Sequence, residues 1–459
     1  MPVLDRARPL AERFTTAGHR IYLVGGIVRD LFVGRDFTAG DRDIDLTTDA
    51  RPDETKAVIG DWADAVWTQG ERFGTIGCRK GDVAFEITTH RAEVYSPESR
   101  KPDVMFADGI EADLSRRDFT VNAMALSLPD PELIDPFDGV ADLAAGTLRT
   151  PLAPEESFGD DPLRMMRAGR FIAGYGLEPE PKLVDAVKQM RHRLGIVSAE
   201  RIRDELDKLL VVADPSTGLW FLVDTALMDE FLPEIPAMRL EQDPIHRHKD
   251  VLSHTFAVVA KTSPNRIVRL AALFHDIGKP RTRTIGPEGV SFHHHEVVGA
   301  RMTRDRMRAL KYSNEDVDVV SRLVYLHLRF HTYAMGWTDS AVRRFVRDAG
   351  DSLEELIELT RCDCTTRNER KARTLARRMD ELEARMAELR EREELAAIRP
   401  DLDGNEVMTH LGLQPGRAVG EALDFLLDVR LDEGPMTKDE AYRRLDDWWA
   451  SHKPDAARG

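Results

Sequence analysis

The sequence of 459 residues is poor in cysteine, in positive charge and in long apolar runs. Its three cysteines, Cys78, Cys362 and Cys364, are too few for a disulfide framework and lack zinc-finger spacing. The net charge of −16 argues against a nonspecific polyanion binder but leaves room for a locally basic groove. No stretch reaches the roughly 18 apolar residues of a membrane helix, and the N-terminus lacks the apolar core of a signal peptide. These absences predict a soluble, cytoplasmic protein.

The apolar content is sufficient for several cores. Hydrophobic residues make up 42% of the chain, which is too long for one core, so we expect about two to four domains. Strand patterns dominate the first third, and helical patterns take over from about Pro154. The sequence therefore predicts an α+β chain.

One stretch near the N-terminus predicts a phosphate-binding turn. A short apolar strand from Ile21 to Val24 leads into Gly25 and Gly26, and a helix opens near Ile27. Glycines lack a Cβ atom, so the backbone N–H groups here are able to press against a phosphate chain at a helix N-terminus. Arg29 follows one helical turn later, where its guanidinium is placed to clamp phosphate oxygens.

The next strand carries a pair of carboxylates and completes a βαβ-like unit. Side chains on a strand repeat every two residues, so Asp43 and Asp45 share one face and Ile44 points to the other. Two carboxylates beside a phosphate cradle form a hard-oxygen site suited to Mg²⁺. A turn followed by a solvated acidic strand end is the alternative interpretation.

The segments GGIVRD and D-x-D together resemble the head of the tRNA nucleotidyltransferase and poly(A) polymerase family in its bacterial form. The resemblance implies a five-stranded, polymerase-beta-like mixed sheet, followed by all-α neck, HD and tail domains. It also implies that Asp43 and Asp45 hold two Mg²⁺ ions. Asp41 and Asp43 also spell D-x-D, but the continuation to Pro52 fits the family better from Asp43 and Asp45.

Two further head segments extend the predicted site. Alternation in the strand from Val83 to Thr89 places Glu86 on one face, either as a third metal-site carboxylate or as an edge-strand residue in a surface pair. The segment LSRRDFTVNA resembles the family motif RRDFTxNA. The resemblance makes Arg116 and Arg117 candidates to bind triphosphate or the RNA 3′ end. Asp118 and Asn122 either hold the nucleotide sugar or orient the loop, and a capped helix start with solvated arginines is the alternative.

The helical region opens with an arginine row. Asp161 and Arg164 fill the slot of the family's E-D-x-x-R motif, and Arg167 and Arg170 follow at intervals of three. Cytosine and adenine both present an amino donor beside a ring-nitrogen acceptor, so a carboxylate and a guanidinium together match both bases. We predict that Asp161 and Arg164 select the base and that the row binds the nucleotide; a solvated helix face is the alternative.

The last neck motif, SAERIRDEL, starts a predicted helix at Ser198. It resembles the family's final head–neck motif. Arg201 and Arg203 are either part of an RNA path or surface charges paired with neighbouring acids.

A separate set of candidate metal ligands follows in the sequence. The order H…HD…D resembles the HD phosphohydrolase superfamily, in which such residues bind a divalent metal that activates water. The predicted ligands, with a metal of unknown identity, are His254, His275, Asp276 and Asp363. Three more histidines are expected to join them, namely His294, His295 and His327.

We predict four domains and one main activity. The domains are a head at 1–153, a neck at 154–240 for nucleobase recognition and RNA binding, an HD domain at 241–366 and a tRNA-binding tail at 367–459. The resemblance implies template-independent addition of CCA to the 3′ end of tRNA from CTP and ATP. Poly(A) polymerase and partial CC- or A-adding activities are the close alternatives. A metal-dependent HD phosphohydrolase acting on nucleotides or RNA ends is the alternative from another class.

Overall fold

The computed structural model describes residues 2–35, 43–94, 103–107, 109–240, 250–286, 289–332, 337–364, 369–393 and 398–452. The chain divides into two compact units, Met1–Pro236 and Ala237–Gly459. The main sheet lies within the first unit, and helices dominate from residue 154 onwards. This arrangement confirms the α+β prediction.

Strands of the first unit build one large sheet and two small pairings. Their bounds are β1 Ile21–Val24, β2 Ile44–Thr48, β3 Ala65–Trp67, β4 Thr75–Lys80, β5 Val83–Thr89, β6 Arg91–Val94, β7 Asp103–Phe106, β8 Ala125–Leu128, β9 Leu133–Ile134, β10 Thr147–Leu148 and β11 Glu178–Pro179. Seven of them form a sheet in the order β3-β4-β5-β2-β1-β8-β9. The resemblance implied five strands, whereas the sheet has seven, of which β3 and β9 have only three and two residues.

The first helices of this unit alternate with the strands, and from residue 154 onwards helices predominate. Their bounds are α1 Pro2–Thr16, α2 Gly26–Phe32, α3 Pro52–Ile59, α4 Ile110–Ser115, α5 Gly139–Ala145, α6 Pro154–Asp160, α7 Arg164–Tyr175, α8 Pro181–Met190, α9 Ala199–Leu210 and α10 Ser216–Asp224. The predicted neck is not purely helical, because β11 pairs in parallel with β10.

Strand direction and register place the carboxylates. β1 pairs antiparallel with β2, so the βαβ-like unit is not a parallel crossover; side-chain alternation is the same in both directions and does not encode this. β2 pairs in parallel with β5, and Asp45 lies directly beside Glu86. The two strands therefore present both carboxylates on one face of the sheet.

The two faces of the sheet are covered differently. On one face Leu23, Ile44 and Leu46 join a core with α1, whose buried side chains recur at helical spacing. On the other face Tyr22 and Val24 pack with α4. Asp45 lies on this second face, because the neighbouring residues Ile44 and Leu46 belong to the first.

Where the structure describes it, the second unit is helical apart from one hairpin. Its bounds are α11 Val251–Lys261, α12 Arg266–Phe274, α13 Lys279–Thr282, β12 Thr284–Gly286, β13 Gly289–Ser291, α14 His295–Ala309, α15 Asn314–Leu326, α16 Arg329–Thr332, α17 Asp339–Ala349, α18 Leu353–Asp363, α19 Glu369–Arg392, α20 Gly404–Leu411, α21 Arg417–Glu433 and α22 Lys438–His452. The hairpin corrects the all-α prediction for this part of the chain.

The long helix α19 buries a narrow apolar stripe, Met379, Leu382, Met386 and Leu389, while the rest of its surface is strongly charged. Helices α20 to α22 enclose an apolar cluster of their own. Within the described ranges, no helix combines the length and apolar character needed to cross a membrane.

Candidate active site and metal centre

The glycine turn is tightly enclosed by arginines. Gly25 has φ +73°, and a Cβ atom there would lie 2.9 Å from Nη1 of Arg117. A Cβ at Gly26, the first residue of α2, would lie 3.3 Å from Nη2 of Arg29. Side chains are therefore disfavoured at both positions, and the turn brings two guanidinium groups from distant parts of the chain to one place.

Three carboxylates meet on the sheet, and we call Asp43, Asp45 and Glu86 the head site. Asp43 and Asp45 reach the surface, whereas Ile44 is fully buried, as alternation predicts. Desolvation of its carboxylate raises the pKa of Asp45 to about 6; Arg117 opposes the rise, and Glu86 and Asp43 reinforce it. Burial and Asp43 also raise the pKa of Glu86. The site thus concentrates negative charge that a cation would relieve.

The predicted arginine pair is held by an acid that sequence reasoning missed. Asp113 is fully buried and accepts hydrogen bonds from Arg116 Nη2 at 2.7 Å and Arg117 Nη2 at 3.1 Å. Burial would raise the pKa of Asp113, but both arginines hold it well below its usual value. An acid three and four residues before an arginine pair on a helix was the available signal. Nε of Arg117 is buried and has no hydrogen-bond partner among the described residues.

The RRDFT loop is tied to α7 by Asp118. Its Oδ1 accepts a hydrogen bond from Asn122 Nδ2 at 2.9 Å, and its Oδ2 accepts one from Arg167 Nε at 2.8 Å. Burial opposes ionisation, but Arg167 and Asn122 lower the pKa of Asp118 well below normal. Asp118 and Asn122 therefore orient the loop, and Arg167 is already engaged with protein.

Arg29 is also held by protein groups. It is 4% exposed, and its guanidinium donates to Asp30 Oδ1 at 2.8 Å and to Asn122 Oδ1 at 2.6 Å. Its Nη2 donates to the hydroxyl of Tyr175, whose ring lies beneath the guanidinium. Arg29 thus lies next to the glycine turn in a fixed orientation.

The structure does not pair the two predicted base-selecting residues with each other. Asp161 accepts a hydrogen bond from Arg201 Nη2 at 2.7 Å. Arg164 is buried; its Nη1 donates to Ser157 Oγ at 2.9 Å, and its Nη2 donates to the carbonyl of Arg116. Two of these partners, Arg201 and the Arg116 carbonyl, lie 40 and 48 residues away along the chain, which local spacing does not reveal.

The other predicted arginines divide between buried and surface pairs. Arg170 binds the buried carboxylate of Glu205. Arg203 bonds its neighbour Asp204 at 2.7 Å. Arg201, with a side chain 54% exposed, is the most open of the three.

In the second unit, the four predicted HD ligands come together. His254 Nε2 lies 2.9 Å from Asp363 Oδ1 and 3.3 Å from His275 Nε2. Two groups of three residues have ligand atoms within 4.8 Å of one another and share Asp276; they are His254 with His275 and Asp276, and Asp276 with His295 and His327. We call His254, His275, Asp276, His295, His327 and Asp363 the histidine cluster. Within the described residues no such group forms in the head site, where the carboxylates interact over longer distances.

Three histidines of the cluster are oriented in the same way. Each Nδ1 contacts the carbonyl oxygen three residues earlier, which fixes the ring and directs Nε2 inward. The pairs are His275 with Ala272 at 2.7 Å, His295 with Phe292 at 2.8 Å and His327 with Val324 at 2.6 Å. Nε2 of His327 is buried and has no hydrogen-bond partner in the described part of the chain. An inward-facing ligand atom of this kind fits a metal site.

Charges within the histidine cluster compensate one another. Burial would lower the pKa of His275, but Asp276 and Asp363 raise it to about 10. Lys279 lies outside the predicted ligand set and bonds Asp276 Oδ2 at 2.7 Å. His294 was expected in the cluster; its side chain is 82% exposed and its contact is Glu296, because φ of +61° turns it away before α14 begins.

Family models match three parts of the chain. They describe a poly A polymerase head domain at residues 21–149, a probable RNA and SrmB-binding site of polymerase A at 176–238 and an HD domain at 252–391. The HD match extends past residue 366, where the sequence suggested a boundary, and the division into four domains stays a prediction.

Two curated relatives show different extents of similarity. An A-adding tRNA nucleotidyltransferase of Deinococcus radiodurans is 34% identical over 94% of this chain and 96% of its own length. A CCA-adding enzyme of Streptococcus suis is 39% identical, and the match spans 50% of this chain and 55% of that enzyme.

Among solved structures, the Bacillus stearothermophilus CCA-adding enzyme in complex with CTP superposes with a TM-score of 0.70. Its sequence is 25% identical, and 98% of each chain is covered. The protein is thus a nucleotidyltransferase and belongs to the tRNA nucleotidyltransferase and poly(A) polymerase family.

Proposed function

We propose that this chain adds CCA to the 3′ end of tRNA, using CTP and ATP. The observation that carries the proposal is the head site, where Asp45 lies in register beside Glu86 and interacts electrostatically with Arg117, whose Nη1 lies against the glycine turn. Acidic ligands next to a phosphate cradle are what metal-dependent nucleotidyl transfer requires. The tRNA substrate is proposed from the names of the relatives.

The head site suits Mg²⁺. Its donors are carboxylate oxygens, and the pKa of Asp45 is raised first by desolvation and then by the like charges of Glu86 and Asp43. Bound by Asp43, Asp45 and Glu86, divalent ions would promote deprotonation of the RNA 3′-hydroxyl and neutralise the triphosphate charge. The 3′-oxygen then bonds to the α-phosphorus, and pyrophosphate leaves.

The chain's own groups position the nucleotide. The backbone of Gly25 and Gly26, with Arg29 and Arg117, would hold the triphosphate. The buried carboxylate of Asp113 bonds Nη2 of Arg117 and keeps that guanidinium in place, while Nε has no hydrogen-bond partner among the described residues.

Base selection is proposed for Asp161 and Arg164, with Arg167 and Arg170 supporting them from α7. The proposal requires a rearrangement, because Arg164 currently bonds Ser157 and Asp161 bonds Arg201. Nucleotide entry would exchange these bonds for the ring nitrogen and amino group of C or A.

RNA contacts are assigned to Arg116, Arg201 and Arg203. Arg201 and Arg203 lie on α9 and keep partly exposed side chains. Their substitution is expected to weaken tRNA binding and its salt dependence rather than nucleotide selection.

The test is incorporation on tRNA transcripts that end before CCA, after C and after CC, with each nucleoside triphosphate supplied singly and together. Addition of two C and one A, followed by a stop, supports the proposal. Long A tails on any RNA would replace it with poly(A) polymerase activity.

A second candidate is addition of the terminal A alone. The observation that favours it is the Deinococcus radiodurans relative, which matches along almost its whole length and is named an A-adding enzyme. In the same assay, activity only on transcripts ending in CC and only with ATP would establish this candidate.

We also propose that the histidine cluster binds a divalent metal and hydrolyses phosphoesters at nucleotides or RNA ends. The supporting observation is the pair of ligand groups that share Asp276. Elemental analysis of purified protein tests metal binding, and release of phosphate from 2′,3′-cyclic or 3′-phosphorylated RNA tests hydrolysis.

A further inference from the structure

Tyr175 connects the end of α7 to the helix that follows the glycine turn. Its ring centroid lies 4.0 Å from the guanidinium carbon of Arg29 and 4.5 Å from that of Arg35. Its hydroxyl accepts a hydrogen bond from Arg29 and donates one to Asp30 Oδ1 at 3.3 Å. One side chain therefore contacts the two arginines of this segment in three ways.

These contacts matter because of where Arg29 lies. Nη2 of Arg29, the atom bonded to Tyr175, is also the atom nearest to the position of a Cβ on Gly26. Asn122 holds the opposite side of the guanidinium through Nη1. Asn122, Tyr175 and the neighbouring Asp30 together hold Arg29 in the orientation in which it faces the turn.

Arg35 adds a second attachment. Its Nη2 donates to the carbonyl of Gly174 at 3.2 Å, and its guanidinium stacks on the Tyr175 ring. Arg35 is the final described residue before the segment that leads to Asp43. The end of α7 therefore holds both the helix carrying Arg29 and the residue that follows it.

We propose that Tyr175 is a positioning residue for nucleotide binding: it fixes Arg29 in the orientation that receives the triphosphate. The inference rests on the proposed function, because it assigns a support to the arginine that binds the triphosphate. It adds a residue that no motif contains, and it couples the helix of the proposed base-selecting residues to the phosphate turn.

The test compares Y175F, which keeps the ring and removes the hydroxyl, with Y175L, which removes both. The matched control is Y325F, which removes the hydroxyl of a half-exposed tyrosine in the second unit. Dissociation constants for CTP and ATP in Mg²⁺, KM and kcat for addition, and the melting temperature are measured for each variant.

Loss of a hydrogen bond to a charged group should weaken CTP and ATP binding by about tenfold in Y175F, with kcat and the melting temperature nearly unchanged. Loss of the cation–π contact as well should bring the effect in Y175L to about thirtyfold. Y325F should match the unmodified protein. Arg35 and Tyr175 act through the same aromatic ring. The double variant R35A/Y175L should therefore weaken CTP and ATP binding by less than the product of the two single effects.

Unchanged nucleotide affinity in Y175F, or a fall in melting temperature without a change in affinity, would overturn the proposal. If Y175L does not fold, Y175F and R35A still decide it. Binding of CTP without its incorporation into tRNA would reject the proposed function and leave the inference standing. Absence of CTP and ATP binding by the unmodified protein would reject both.

Discussion

The head site and the histidine cluster are both candidate cation sites, but they differ in what balances their acidic groups. In the head, desolvation and the like charges of Glu86 and Asp43 raise the pKa of Asp45 to about 6, and Arg117 opposes the rise only in part. In the cluster, burial opposes ionisation of Asp276, but His275 and Lys279 hold its pKa well below normal. An open site with uncompensated charge suits ions that arrive with substrate, and a closed, compensated site suits a resident metal.

The largest effect is expected from D45N. This substitution removes a proposed metal ligand and keeps the volume of the side chain. Nucleotide incorporation should therefore fall by about a thousandfold or more. Metal content of the histidine cluster should not change. The control is D49N on the same segment, whose carboxylate bonds Arg20 at 2.8 Å instead. Activity of D45N within tenfold of the unmodified protein would contradict the assignment.

D276N should disrupt the histidine cluster. The substitution takes one of two buried carboxylates away from His275 and removes the acidic partner of Lys279, which costs about 3–5 kcal/mol of unfolding free energy. Metal bound to the cluster and any phosphoester hydrolysis should be lost, while nucleotide addition is retained below the melting transition. Denaturant unfolding and elemental analysis check this result. Loss of both activities in folded protein would show that the two sites are not independent.

R164A tests whether Arg164 selects the base of the incoming nucleotide. It should reduce discrimination for C and A against U and G by about 1–3 kcal/mol, with little change in the KM of CTP or ATP. Single-nucleotide incorporation with all four triphosphates measures it. Loss of nucleotide binding with the preference intact would refute the base-selecting role.

The pH dependence of Mg²⁺ activation should show whether the activating Mg²⁺ binds at Asp45 of the head site. As the pH falls below about 6, a proton competes with the cation at Asp45, so half-saturation by Mg²⁺ should rise by up to about tenfold per pH unit. Above pH 7 the Mg²⁺ concentration needed for half-saturation should change little with pH. Half-saturation that is independent of pH between 5 and 7 would place Mg²⁺ binding elsewhere.

The smallest effect is expected from H294A. This side chain is exposed, so the free energy of unfolding should change by no more than about 0.5 kcal/mol, and the metal content of the cluster should remain. H295A is the matched comparison, because His295 Nε2 lies 3.4 Å from Asp276 Oδ1 and its loss should reduce metal binding. Equal behaviour of the two variants would remove His295 from the proposed ligand set.

Sequence periodicity anticipated the parts of the molecule that depend on local geometry. The strand before Gly25, the helix after it and the exposure of Asp43 and Asp45 on either side of the buried Ile44 follow from residue spacing. The position of Glu86 beside Asp45 depends instead on the register between β2 and β5. Ligand order likewise identified His254 and Asp363, although they are separated by more than one hundred residues.

What the sequence did not reveal are side-chain partnerships across the fold. Arg201 on Asp161, Arg167 on Asp118 and Arg170 on Glu205 each depend on which of many charged residues is nearest in space. Charged residues are abundant in this chain, at 32%, so composition offers many alternative pairs. The untested assignments of Arg29, Arg164, Arg167 and Arg170 to the nucleotide remain predictions for the same reason.

Two histidines of the cluster, His275 and His327, are also the residues at which α12 and α15 end. The carbonyls that orient them belong to the last helical turn, where main-chain oxygens lack partners within the helix. Each imidazole therefore terminates a helix and presents a ligand atom at the same time. A designer who lengthens either helix by one residue would move the ligand and its orienting oxygen together, so the length of these helices is constrained by coordination chemistry as well as by packing.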